Sequence, residues 1–161
     1  MKAQLVTAMA VVVLGCAGAA SAQDDKTRDF LKTAMQGDNS EVMLGKLATE
    51  HAASPAAKHY GQMLVDDHSM HLQKVTKVAS GLNVPVEHQP MAAAEKERDK
   101  LSKLDGDKFD HEFAEYMVKD HRKDIAEYEK ASRMTGDVGQ LARDTLPTLR
   151  KHLSEAEKLK G

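Results

Sequence analysis

The sequence predicts an all-α protein: a four-helix bundle in an up-down-up-down arrangement, with a long link between its second and third helices. Ala, Leu, Lys and Glu dominate the 161 residues, aromatic residues make up only 4%, and tryptophan is absent. This composition favours helices over strands. Apolar residues also recur at steps of three and four along four stretches, which is the spacing of one helix face. We expect one domain over residues 27–160, long enough to bury a core.

The first 22 residues are predicted to be a secretory signal peptide. Lys2 precedes an uncharged apolar run from Leu5 to Leu14, and Ala20-Ser21-Ala22 supplies the small residues found before a cleavage site. The run is too short to span a bilayer, so we expect no transmembrane segment in the mature chain. Cys16 lies in a sequence that loosely resembles a lipoprotein box, which leaves a lipid anchor as an alternative. The predicted location is the periplasm or the outer envelope.

The charged and sulfur-containing residues narrow the chemistry of the mature chain. Cys16 is the only cysteine, so a mature protein has no thiolate, and any metal must be held by His, Asp, Glu or Met. Without residues 1–22 the chain has 22 basic and 25 acidic side chains, a formal charge of −3. Both signs are mixed along the chain, so we expect no binding to nucleic acid, which requires a basic stripe.

The first predicted helix, helix A, places Glu41 on its apolar side. Residues 23–29 are expected to be loose, so the helix begins either near Thr27 or after the stretch Gly37-Asp38-Asn39-Ser40, which is expected to break or kink it. Small residues such as Gly45 follow Glu41 on the same side. They are expected to let a neighbouring helix come close.

Helix B is predicted to begin at Ser54-Pro55, because a capping serine is followed by proline at the first helical position. It carries His68 on its apolar stripe and ends near Ser80-Gly81, where glycine is a common C-cap. The link occupies residues 81–106. Its charged segment from Met91 to Leu104 is predicted to be a short surface helix that stays out of the core.

Helix C is predicted to follow the turn at Asp105-Gly106-Asp107 and to carry His121 among its apolar residues. It is expected to end at Gly136-Asp137, where a capping box begins helix D. Helix D carries His152. Pro147 inside it is expected to kink the helix or force a restart, because the proline ring removes one backbone hydrogen bond.

One short pattern occurs twice, in Leu64-Val65-Asp66-Asp67-His68 and in Met117-Val118-Lys119-Asp120-His121. Each copy places a histidine on the apolar stripe of its helix. The two copies lie on helices B and C and suggest a weak duplication of a helical hairpin. Counting helix rise from the two hairpin turns places Glu41 within roughly 3 Å of the height of His68, and His121 within roughly 5 Å of that of His152. All four side chains can therefore share one layer.

That layer predicts a transition-metal site with Glu41, His68, His121 and His152 as ligands. Neutral imidazole nitrogens and a carboxylate oxygen suit Zn, Fe, Cu or Mn. The same groups would cost several kcal/mol if they were buried without partners, and a bound cation removes that cost. Met117, one turn before His121, leaves thioether ligation of Cu(I) as an alternative.

Further polar residues lie close to these histidines in sequence. His71, Asp124 and Glu155 each follow a core histidine by three residues, so each could add a ligand or accept a hydrogen bond. Asp67 and Asp120 directly precede histidines and point about 100° away around the helix. We expect them to hold the ligands from outside or to lie at the surface.

Two other functions remain open from the residues alone. A buried Glu–His network without metal would fit an envelope stress or interaction protein whose histidines are structural or sense pH. A metal-dependent oxidoreductase is the other alternative, although no separate nucleophile or acid–base pair is visible. We expect a binding protein rather than an enzyme.

Four ordered motifs carry a resemblance to a known family: residues 41–48 from Glu41 to Ala48, residues 63–68 ending in Asp67-His68, Phe109-Asp110 followed by residues 116–121, and residues 146–153 around His152. Over about residues 27–159 the chain resembles a secreted bacterial family catalogued as domain of unknown function 4142. The resemblance implies a ferritin-like four-helix bundle that is exported to the periplasm or outer envelope. It implies no settled reaction.

The sequence departs from the ferritin-like pattern at one point that matters for function. Di-iron sites of that fold use Glu-x-x-His motifs on two helices. The residues three before His68 and His121 are Val65 and Val118, neither of which is a carboxylate. A mononuclear site, or one that has lost catalysis, is therefore expected in place of iron storage or di-iron oxidation.

Overall fold

The structure, a computed structural model, describes residues 17–160, and in this range the chain forms five helices and no strand. The predicted all-α bundle is confirmed. Most of the predicted signal peptide, including Cys16, lies outside the described residues, so cleavage and lipid anchoring remain predictions. No described helix is long and apolar enough to cross a membrane. The helices are α1 (Ala17–His51), α2 (Pro55–Gly81), α3 (Ala92–Leu101), α4 (Asp107–Ala131) and α5 (Gly136–Lys160).

Helix α1 is continuous where the sequence predicted a break. Ser40 Oγ donates to the carbonyl of Gln36 at 2.7 Å, and Asn39 Nδ2 donates to that of Met35 at 2.9 Å. These side chains donate hydrogen bonds to carbonyls of their own helix, so they do not end it. Residues 23–29, expected to be loose, also belong to α1.

The turn between α1 and α2 is tied to the beginning of α4. Ser54 caps α2 as predicted, because its side chain accepts a hydrogen bond from the backbone N–H of Ala57. The carboxylate of Asp110 accepts hydrogen bonds from the backbone N–H groups of Ala53 and Ser54 at 2.9 and 2.8 Å. Asp110 lies in the first turn of α4. The start of α4 is therefore held beside the α1–α2 turn.

This attachment corrects the predicted order of helix directions. Because α2 and α4 both begin at the same end of the bundle, they run parallel, and the order of the four long helices is up-down-down-up instead of up-down-up-down. The link between α2 and α4 returns the chain along the bundle. The repeated Asp-His pattern lies on the second helix of one hairpin and the first helix of the other. It therefore does not mark a duplicated hairpin.

The link packs against α1 as it returns. Asn39 Nδ2 donates to the carbonyl of Glu87 at 3.1 Å, and the backbone N–H of Met91 donates to Ser40 Oγ at 2.9 Å. Helix α3 is short, as predicted, but Ala94 and Leu101 on it are fully buried. The expectation that this segment stays out of the core is therefore wrong for one face of the helix.

Helix α5 runs through Pro147 without the restart that the sequence suggested. Proline removes only one backbone N–H, and the neighbouring side chains Leu146 and Leu149 remain buried in the core. Packing of this face supplies most of the stability of such a helix, so one lost hydrogen bond does not interrupt it.

The apolar core is divided into two clusters by a layer of polar side chains. One cluster contains Leu31, Met35 and Tyr128. The other contains Leu44 and Phe113. On each long helix the buried ionisable residues lie in sequence between members of the two clusters, so the polar layer crosses the middle of the bundle. The ionisable residues buried in this layer are Asp38, Glu41, His68, His71, His121, Asp124 and His152.

Candidate metal centre

The structure brings the four residues predicted as ligands together, one from each long helix. Glu41 is 1% exposed, His68 4%, and His121 and His152 0%. Glu41 Oε2 lies 2.8 Å from His68 Nδ1, and Glu41 Oε1 lies 3.2 Å from His121 Nε2. His68 Nε2 lies 3.2 Å from His152 Nδ1. The predicted layer therefore exists as a compact cluster.

His68 has one ring nitrogen held between two carboxylates. Its Nδ1 lies 2.9 Å from Asp38 Oδ1 and 2.8 Å from Glu41 Oε2. Carboxylate oxygens only accept, so Nδ1 carries the hydrogen. In the neutral ring, Nε2 then has a free lone pair, and this lone pair faces His152.

His152 and His121 are fixed in the same way by other partners. His152 Nε2 donates to Asp67 Oδ2 at 2.8 Å, which leaves the lone pair on its Nδ1. His121 Nδ1 donates to the backbone carbonyl of Met117 at 3.0 Å, which leaves the lone pair on its Nε2. In each ring an outer hydrogen bond therefore selects the tautomer that directs a lone pair into the layer.

The three histidines share one potential metal site. A ligand atom of each of His68, His121 and His152 lies within 4.8 Å of those of the other two. Two ligands bound at about 2.1 Å to one ion are roughly 3.0–3.4 Å apart in octahedral or tetrahedral geometry. The separation of 3.2 Å between His68 Nε2 and His152 Nδ1 falls in this interval. The separation between Glu41 Oε1 and His121 Nε2 does so as well.

Burial and neighbouring charge set the protonation of the cluster. Burial lowers the pKa of His121, and burial together with nearby His68 lowers the pKa of His152 to about 4. Burial opposes ionisation of Glu41, but His68 and His121 outweigh it and lower the pKa of Glu41 to about 2. For His68 burial is outweighed by Glu41 and Asp38, which raise its pKa well above its usual value. The layer thus combines an ionised carboxylate with at least two neutral imidazoles.

Two atoms of the cluster lack a hydrogen-bond partner. Glu41 Oε1 and His121 Nε2 are both buried and unpartnered, although they lie 3.2 Å apart. Because Nδ1 of His121 carries the hydrogen, the lone pair on His121 Nε2 faces the carboxylate oxygen Glu41 Oε1. Buried polar atoms without partners are costly, and this pair requires a positive charge between them or a proton.

The family comparison covers nearly the whole chain. The family model described as domain of unknown function (DUF4142) matches residues 15–159. The chain belongs to this family. No curated protein and no solved structure matches the sequence. Membership in the DUF4142 family agrees with the resemblance seen in the sequence and names no reaction, so function must be argued from the site.

Sequence reasoning missed one member of the site of this DUF4142 protein. Asp38 is 2% exposed, and its carboxylate accepts hydrogen bonds from Nδ1 of both His68 and His71. It lies three residues before Glu41, on the same face of α1. The spacing could have revealed it, but the surrounding Gly37-Asp38-Asn39-Ser40 is typical of a turn and predicts a helix break.

The structure places the neighbouring residues named from the sequence in different environments. Asp67 holds His152 from outside, as expected. His71 is buried against Asp38, and Asp124 is buried beside Glu41. Glu155 is paired with Lys158 at 2.7 Å and is not placed among the buried groups.

Two aspartates of α4, Asp120 and Asp124, also approach Glu41. One carboxylate oxygen each of Glu41, Asp120 and Asp124 lies within 4.8 Å of the others. Burial and the charge of Glu41 raise the pKa of Asp120 to about 7, and the same two causes raise the pKa of Asp124 well above its usual value. The repulsion among these three carboxylates therefore favours protons or a cation between them.

A small cavity of about 10 Å³ adjoins the layer between α1 and α4. Asp38, Glu41, His68 and Asp124 line its inner part, and half-buried residues such as Thr33 line its outer part. A volume of this size holds about one water molecule or one ion.

Proposed function

We propose that this protein is an exported periplasmic or envelope protein that binds one transition-metal ion through Glu41, His68, His121 and His152. The function supported best is binding and handling of that ion, with no reaction assigned. Zn, Fe, Cu and Mn all suit a donor set of three imidazoles and one carboxylate.

One observation carries the proposal: three buried imidazoles lie in the same layer as a carboxylate, with His121 and His152 directing lone pairs into it and His68 doing so once its ring is neutral. Each tautomer is set by an outer partner, namely Asp38 for His68, the Met117 carbonyl for His121, and Asp67 for His152. Such outer hydrogen bonds are the usual way in which proteins orient histidine ligands. A cation gives every one of these lone pairs a partner.

A specific contact argues for a cation rather than a proton. A protonated, positively charged His68 could donate from Nε2 to His152 Nδ1, which would satisfy that pair without metal. It would leave His121 Nε2 facing Glu41 Oε1, since burial lowers the pKa of His121. A metal ion held by the three histidines would instead give His121 a partner as well as His68 and His152, with Glu41 Oε1 3.2 Å from His121 Nε2.

The test is the metal content of residues 23–161, purified from the periplasm without a histidine tag. We expect about one ion per chain by elemental analysis, and none in His68→Ala/His121→Ala. A matched control, His59→Ala/His111→Ala, removes two exposed histidines and should keep the ion. If the wild-type chain holds no ion, and Zn, Cu, Fe and Mn give no thermal stabilisation, the metal site does not exist.

Export is proposed from the pattern of residues 1–22 and is tested separately. Cell fractionation followed by N-terminal sequencing should find the chain in the periplasm with Gln23 as its first residue. An uncleaved chain in the cytoplasm would contradict export. A chain that begins with a lipidated Cys16 would support the anchored alternative.

A second candidate is a metal-free envelope protein stabilised by the Glu–His network. The position of His68 between Asp38 and Glu41 favours it, because two carboxylates can hold a charged imidazole ring. The two candidates differ in one measurement: nitrogen-detected NMR of histidine in the purified protein. A protonated His68 at pH 7 supports the network, and metal-shifted nitrogens in three rings support the metal site.

A further inference from the structure

We propose that the bundle holds a second divalent cation, in an all-carboxylate position formed by Glu41, Asp120 and Asp124. Glu41 is shared with the histidine position, so this inference deepens the proposed function. The carboxylate position does not depend on His68 or His152, and it can therefore be tested even if the histidines bind nothing.

The first observation is the convergence of three carboxylates on two helices. One oxygen each of Glu41, Asp120 and Asp124 lies within 4.8 Å of the others. Asp120 and Asp124 are one turn apart on α4, so both can face α1. Three carboxylates at such separations repel one another unless a cation or protons lie between them.

The second observation points to a ligand. Glu41 is 1% exposed, and its Oε2 is taken by His68 Nδ1. Its other oxygen, Oε1, is buried without a hydrogen-bond partner and lies on the side of α4, 3.2 Å from His121 Nε2. An oxygen with two lone pairs can bridge two cations, one at the histidine position and one between the carboxylates.

The third observation is space beside Glu41. The cavity of about 10 Å³ is lined by Glu41 and Asp124 together with Asp38 and His68, while Asp120, His121 and His152 do not border it. Room for one ion or water molecule thus adjoins two of the three carboxylates.

Charge compensation supports a cation at this position. Asp120 and Asp124 both approach Glu41, and a divalent cation among the three carboxylates would offset two of their charges when they are ionised. Buried charge without a partner is costly, so the cation would stabilise the ionised form of the position.

The donor set defines the class of ion. An all-oxygen position suits hard divalent cations such as Mn²⁺, Mg²⁺ or Ca²⁺, whereas imidazole nitrogens suit Zn²⁺. The two positions should therefore select different ions. Mn²⁺ is the useful probe, because free and bound Mn²⁺ are distinguished by electron paramagnetic resonance.

The experiment titrates the mature chain, first saturated with Zn²⁺, with Mn²⁺. We expect about one Mn²⁺ per chain with the Zn²⁺ retained. Asp124→Asn, which keeps the side-chain volume, should weaken Mn²⁺ binding at least tenfold and leave the Zn²⁺ content unchanged. Asp120→Asn should act in the same direction. Asp66→Asn, at an exposed aspartate of α2, is the matched control and should change neither ion.

Each outcome decides the proposal. Failure of the Zn²⁺-loaded chain to bind Mn²⁺, displacement of Zn²⁺ by Mn²⁺, or binding that both asparagine variants leave intact would overturn the carboxylate position. If the wild-type chain takes no Zn²⁺, the proposed function fails, and the same Mn²⁺ titration of the Zn²⁺-free chain still tests the carboxylates. Circular dichroism of each variant confirms that lost binding is not lost folding.

Discussion

At the scale of residues, the histidines owe their orientation to partners that bind no metal in the proposed site. Met117 offers a backbone carbonyl to His121, Asp67 a carboxylate to His152, and Asp38 a carboxylate to His68. Forming these contacts costs little conformational free energy, because the helix that carries each partner already holds it in place. They make the lone pairs converge before any ion arrives, which reduces the free energy needed to organise the site.

Asp67→Ala tests this role of an outer partner. Without the carboxylate, the His152 ring loses the acceptor for its Nε2–H, so its tautomer and orientation are no longer fixed. We expect metal affinity to fall by about tenfold with the stoichiometry kept at about one, measured by competition with a chromophoric chelator. Asp66→Ala, at the exposed neighbouring residue, is the control. An equal loss in the control would refute the role of Asp67.

Asp120→Asn tests the electrostatics of the layer in the metal-free protein. The pKa of Asp120 is raised from 3.8 to about 7, so the folded state binds more protons than the unfolded state between these values. The group therefore lowers the free energy of unfolding as the pH rises from about 4 to about 7. Asparagine does not ionise, so the variant should gain about 1–2 kcal/mol over wild type at pH 8 and little at pH 4.5.

The measurement is chemical denaturation with a chelator present, at both pH values. Asp66→Asn serves as the exposed control and should match the wild type throughout. The same stability difference at pH 4.5 and pH 8 would show that Asp120 is not perturbed by burial and Glu41.

The sequence predicted that Glu41, His68, His121 and His152 lie together, as their contacts show, but it did not predict the burial of Asp38 beside them. Glu41 and the three histidines lie on apolar stripes, where a titratable group is conspicuous, and helix rise places them at one height. Asp38 lies in a stretch of Gly, Asp, Asn and Ser that is typical of turns. Its burial depends on contacts with His68 and His71 from another helix, which local sequence does not show.

At the scale of elements, α1 and α2 approach closely because glycine faces glycine. A Cβ atom added at Gly45 would lie 2.6 Å from the carbonyl oxygen of Gly61, and one added at Gly61 would lie 2.7 Å from that of Gly45. The sequence predicted this close approach from the small residues of helix A. The contact lies within one turn of Glu41 on α1, so the spacing of these helices also sets the reach of Glu41 to His68.

Gly45→Ala should therefore destabilise the protein although alanine favours helix. The added methyl group meets backbone that cannot move without shifting a helix, and we expect a loss of about 2 kcal/mol in the free energy of unfolding. Gly37→Ala on the same helix is the control. Its Cβ would meet only Met91 Cε at 3.8 Å, an ordinary contact, so helix propensity should stabilise it by up to about 1 kcal/mol. Equal stability of both variants in urea denaturation would contradict the close contact.

Helix limits were predictable where capping and periodicity agreed, and wrong where a local breaker met tertiary packing. Ser54-Pro55 begins α2 as predicted. The break near Gly37 and the restart at Pro147 do not occur, because buried side chains on either side hold α1 and α5 in the core. Residues such as Gly37 and Pro147 disfavour helix locally, but packing of an apolar face outweighs this local preference.

At the scale of the whole molecule, two apolar clusters enclose a polar layer, and this arrangement isolates the site from solvent. Residue counts from the hairpin turns place the four predicted ligands at one height, in agreement with the contacts among them. They could not give the direction of α4, because His121 reaches the same height whichever end α4 starts from. The direction depends on contacts such as those of Asp110 with Ala53 and Ser54, which join distant parts of the chain.

The most direct test of the account is a crystal structure of the mature chain with its native ion, with anomalous scattering measured at the absorption edge of that ion. The account predicts one transition-metal peak in the polar layer, about 2.1 Å from His68 Nε2, His121 Nε2 and His152 Nδ1 and bound to Glu41. A layer without an anomalous peak, or an ion bound only at the exposed group His111, Glu112 and Glu115, would contradict it.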